Sequence, residues 1–112
     1  MPWLPPGRSR HCAGMEDIEI EIVILDEHWR SLHRLRPAED WRATVRQLLQ
    51  FKSRWLALHQ RRRKDRMATP RPSDIALTRS LYRHLRPLDI ILADHVIDAR
   101  NDRFSFRAAG LL

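Results

Sequence analysis

The sequence predicts a mixed α/β fold, and three observations point to it. Its 112 residues leave room for one core, since compact domains hold about 100 to 150 residues. Apolar runs of strand length alternate along the chain with segments of helical period. Their order, strand, helix, strand, helix and hairpin, is that of a mixed sheet flanked by helices.

Each element has its own reason. Residues 1–14 hold three of the seven prolines and two of the three glycines without any period, so they are expected to form a flexible tail before a domain at 15–112. The basic residues there precede no apolar stretch, which argues against a signal peptide, and Met15 is an alternative start. IEIEIVIL at Ile18–Leu25 alternates and then turns wholly apolar, as a strand does when one end is half exposed and the other buried. Asp26 and Glu27 make a turn, and Trp29 to Leu35 fits a short returning strand weakly. After Pro37, the spacing of Trp41, Val45, Leu48 and Leu49 predicts an amphipathic helix over Ala38 to Lys52.

Arg54 to His59 reads as a second strong strand, and Gln60 to Arg66, QRRRKDR, as a solvent-facing loop. Thr69 to Pro72 cannot be helix interior. Ser73 is the expected N-cap of a helix that carries Asp74 in its first turn, lines one face with Ile75, Thr78, Leu81, Tyr82 and Leu85, and ends before Pro87. Asp89 to Ile97 and Arg103 to Arg107 are strands joined as a hairpin through Asp98 to Asp102.

Composition narrows the function classes. At 43% hydrophobic and 31% charged residues the chain has enough apolar material for a core, and no apolar run approaches the ~18 residues that span a bilayer. A lone Cys12 makes no internal disulfide, which points to a reducing, cytoplasmic compartment. The net charge of +7 admits an anionic partner such as nucleic acid, yet a basic set of 19 Arg and two Lys is also what codon bias produces.

The last third carries the specific signal. Thr69-Pro70, DIALTRSL at Asp74 to Leu81, LADHVI at Leu92 to Ile97 and SFRAAGLL at Ser105 to Leu112 together resemble the C-terminal part of RadC-like proteins, a bacterial JAB/MPN domain family. A looser similarity covers residues 38–59, and IVILDEHWR resembles the family's first strand and turn. The resemblance implies a zinc-dependent, metallopeptidase-type hydrolase fold associated with DNA repair. Two His of a His-x-His-Pro-Ser-Gly motif and one Asp hold the metal, and a Glu on the first strand activates the bound water. Residue by residue, His59 falls on the first His and Asp74 on the Asp, whereas Arg61 stands at the second His and Arg62, Arg63 and Lys64 at Pro-Ser-Gly. The Glu position falls at Ile18, with Glu19 one residue away as the candidate catalytic carboxylate and Glu16 and Glu21 further off. A guanidinium has no lone pair to give a metal, so the expectation is a remnant site of His59 and Asp74 without bound zinc. His33 and His95 are possible third ligands, His95 with a structural role beside Asp94 as the other reading; His11, His28 and His84 read as surface residues.

The alternative is a small basic module that binds nucleic acid or another anion through Arg61, Arg62, Arg63 and Lys64. Trp29, Trp41 and Trp55 fit either base stacking or core packing.

Overall fold

The computed structural model describes residues 3–5, 18–36 and 41–112. Five strands and two helices follow one another: β1 (Ile18–Leu25), β2 (Ser31–Leu35), α1 (Trp41–Gln50), β3 (Trp55–Arg62), α2 (Pro72–Leu85), β4 (Ile91–Asp98) and β5 (Arg103–Ser105), with a 3₁₀ turn at Arg86–Leu88. They form one sheet of order β2-β1-β3-β4-β5, in which only β3 and β4 pair in parallel. The fold is thus mixed α/β, as the sequence predicts.

Topology puts both helices on one face. Two antiparallel pairings leave β2 parallel to β3, so β2-α1-β3 and β3-α2-β4 are both parallel crossovers moving the same way across the sheet. Right-handed crossovers of that kind land on the same side. Leu48 of α1 and Leu81 and Leu85 of α2 accordingly share one buried cluster with Ile22, Ile24, Leu56, Leu58 and Leu92 of the sheet. The opposite face buries Val23, Leu25, Ala57, Ala93 and Val96 under Trp3, with Trp29 and Trp55 at its margin. A third cluster, Ala68, Ile97, Ala99 and Phe106, closes the end of the sheet near the start of α2.

Several expectations need correction. Within the expected flexible tail, Trp3 is buried, because the helix-free face of the sheet needs an apolar cover; residues 6–14 lie outside the described residues, as do Met15 and Glu16. The returning strand starts at Ser31 rather than Trp29, since Asp26 accepts the backbone N–H groups of His28 and Arg30 and holds Trp29 in a turn at φ 61°. In α1 the inward line is Thr44 and Leu48, and Leu49 is 57% exposed, one helical step round from the stripe. Ala38 to Asp40 and the side chain of Trp41 lie outside the described residues. The N-cap of α2 is Arg71, not Ser73: Pro72 opens the helix with its preset φ, and Asp74 at the third position accepts the Arg71 backbone N–H at 2.7 Å.

The largest difference lies in β3. Gln60, Arg61 and Arg62 extend the strand beyond His59 instead of forming solvent-facing loop. Polar residues hold a strand here because partners wait on both faces, as described next.

Candidate functional site

Alternation along β3 decides which side chains meet. Successive residues point to opposite faces, so Leu56, Leu58, Gln60 and Arg62 face the helices while Ala57, His59 and Arg61 face away. Asp74, in the first turn of α2, sits over the helix-side pair. Its carboxylate accepts Gln60 Nε2–H at 3.0 Å and the Arg62 Nη2–H, in addition to the Arg71 amide. Gln60 and Arg62 are each 3% exposed, so this is a buried guanidinium–carboxylate pair. Arg62 also donates to the Thr69 carbonyl at 2.8 Å, and its Nε has no partner among the described residues. Burial and the charge of Arg71 push the Arg62 guanidinium below its usual range, with Asp65 opposing them; Arg remains protonated throughout.

The network continues to β4. Because Gln60 spends its amide N–H on Asp74, its Oε1 is left to accept from His95 Nε2 at 3.0 Å. That fixes the tautomer, and His95 Nδ1 accepts the Thr78 hydroxyl at 2.5 Å. The ring stacks on Phe106 with centroids 4.4 Å apart. Burial first, then the charges of Arg62 and His59, push His95 down to about 3, so it is neutral at ordinary pH.

On the other face His59 donates from Nε2 to Asp98 at 2.8 Å. Asp98 also accepts Arg103 Nε–H at 2.6 Å. Burial raises the Asp98 pKa, but hydrogen bonds from His59 and Arg103 outweigh it and leave it near about 2. The His59 ring lies edge-on to Trp3, and its Nδ1 is buried without a partner among the described residues.

The candidate residues named from sequence therefore part company. His59 and Asp74 stand on opposite faces of β3, held by Asp98 and Arg62 respectively. Glu19 pairs in register with Arg61 and shares its face, where it accepts from Arg63 at 3.0 Å and lies 3.8 Å from Arg61. Glu21 sits opposite His59, also away from Asp74. The β1 residues facing Asp74 are Ile18 and Ile20, so β1 places no carboxylate beside Gln60 and Arg62. His33 stacks on Phe51 and does not approach the pair. Of the basic run, Arg62 is buried, Arg61 and Arg63 are committed to Glu19, and Lys64 alone is exposed; this is not the open cationic loop expected from sequence.

Gln60 and Arg62 are the residues that sequence reasoning missed. The signal was the period of two: carried past Leu56 and Leu58, the helix-side positions are 60 and 62, not 59 and 61.

Among the described residues no group of three or more His, Cys, Asp or Glu side chains is placed to hold a metal ion. No helix among them is long and apolar enough to cross a membrane. No curated protein matches the chain. The family model for the RadC-like JAB domain matches residues 39–111, more than half of the chain. The chain belongs to the RadC-like JAB domain family.

Proposed function

We propose that this chain is a non-catalytic RadC-like JAB domain, in which a protein-borne cation replaces the metal that the family resemblance implies. The observation that carries the reading is the Arg62–Asp74 pair: the two strand residues facing Asp74 are Gln60 and Arg62, and we take these two positions as the counterparts of the histidines in the family's motif. The donor set does not suit a divalent cation. Arg62 offers no lone pair and its positive charge repels a metal; the Gln60 carbonyl oxygen is taken by His95; Asp74 already accepts three hydrogen bonds. A general-base carboxylate on the first strand is replaced by Ile18 and Ile20. What the family achieves through a metal-bound water has no equivalent among these groups, so the domain acts by binding rather than by hydrolysis.

Zinc content tests this. Protein purified in zinc-supplemented buffer should hold far less than one equivalent, and its melting temperature should not respond to added zinc or to chelator. About one zinc per chain, lost on Asp74→Asn, would overturn the reading.

A further inference from the structure

A second feature lies at the other end of β3. A groove of about 1190 Å³ opens between the C-terminal half of α2, the start of β4 and the C-terminus. Five arginines line it: Arg79, Arg83 and Arg86 from α2 and the turn after it, Arg54 from the entry to β3, and Arg107. All five are exposed, Asp89 is the one acidic residue in the lining, and none of the five forms an ion pair among the described residues. Arg83 and Arg86 also complement the negative end of α2, but that end carries only about half a charge. Arg107 donates to the Ala93 carbonyl and lies over the Trp29 ring, 5.0 Å from its centroid, so the groove's positive charge comes chiefly from Arg54, Arg79, Arg83 and Arg86.

The remaining lining is apolar and aromatic. Tyr82, 48% exposed, stands between the arginines of α2, and the floor is Ile90 and Leu92 with Trp55 beside them. Arg79 and Arg83 are one helical turn apart, about 6 Å along the axis, and so form a short ladder of forked donors. An occupant must bring several anionic groups in a row together with flat apolar surfaces. Inorganic phosphate lacks the second, and a peptide made of acidic residues alone lacks it too, whereas every nucleotide carries both an anionic group and a flat ring.

We propose that this groove binds single-stranded nucleic acid, with the arginines on phosphates and Tyr82 stacked on a base. The groove's arginines on α2 begin at Arg79, about 8 Å along the helix from Asp74, and neither Arg62 nor Asp74 lines it. It therefore stands or falls independently of the proposed loss of the metal site.

Fluorescence anisotropy of the full chain with a labelled oligo-dT of about 12 nucleotides at about 50 mM salt is the test. Binding should weaken steeply as salt rises. Arg79→Glu with Arg83→Glu should weaken it at least ~10-fold, and Tyr82→Ala by ~5-fold or more, both with an unchanged melting temperature because these side chains are exposed. Arg61→Ala with Lys64→Ala should leave it unchanged. Absence of binding, binding indifferent to the Arg79 and Arg83 changes, loss in the Arg61 and Lys64 variant, or equal competition by an oligo-glutamate peptide would each overturn the proposal.

Discussion

A carboxylate buried as deeply as Asp74 needs a neutralising partner, and Arg62 supplies one from the neighbouring strand. Removing one member of such a pair leaves the other charge stranded, which typically costs about 3–5 kcal/mol. Arg62→Ala is therefore expected to lower unfolding stability by about that amount in urea titrations, and adding Asp74→Ala to it should recover part of the loss. His95 gives a second residue-level prediction. Its folded-state pKa of about 3 lies below the unfolded value of about 6.5, so the unfolded chain takes up a proton first. Its contribution is fully present above about pH 6.5 and is lost as pH falls toward 3. Asp98, also depressed, to about 2, adds a loss only below about pH 4. Stability measured between pH 6.5 and 4 should thus fall, and His95→Asn should flatten that slope; an unchanged slope would assign it to another group.

At the scale of elements, the sequence was most legible where one physical rule decided alone. IEIEIVIL at β1 follows from alternation, and the body of α2 from its inward line and an acid in the first turn, while its start falls at Pro72 instead of after a Ser73 cap. The end of β3 was illegible because its continuation depends on partners far away in sequence. Arg62 reads as solvent loop until Asp74 is folded over it, and Arg61 until Glu19 is paired beside it. Trp3 is a similar case: nothing in a proline-rich segment without period says that it covers a sheet face. Its place in the cluster with Val23, Ala57 and Val96 predicts that Trp3→Ala costs about 3–5 kcal/mol in urea denaturation. A chain begun at Met15 should be weakened to a similar degree, and equal stability of the two chains would contradict that packing.

Across the whole molecule, the net charge of +7 resolves into distinct populations. Within the densest run Arg62 is paired with Asp74 and Arg61 and Arg63 with Glu19, while the arginines scattered along α2 and its surroundings converge on one groove. Linear density was a poor guide to surface potential, because strand alternation divides neighbours between faces whereas helical spacing gathers distant residues onto one. The family match over residues 39–111 falls short of β1 and β2, the same region where the residues resembled the family least. The central claim is that positions 60 and 62, rather than 59 and 61, correspond to the metal-binding pair. Calorimetric zinc titration of the Gln60→His, Arg62→His double variant tests it directly, with Arg61→His, which restores a His-x-His motif from His59, as the comparison. Zinc binding by the double variant and none by Arg61→His is the predicted result; zinc binding by Arg61→His and none by a folded double variant would contradict the account.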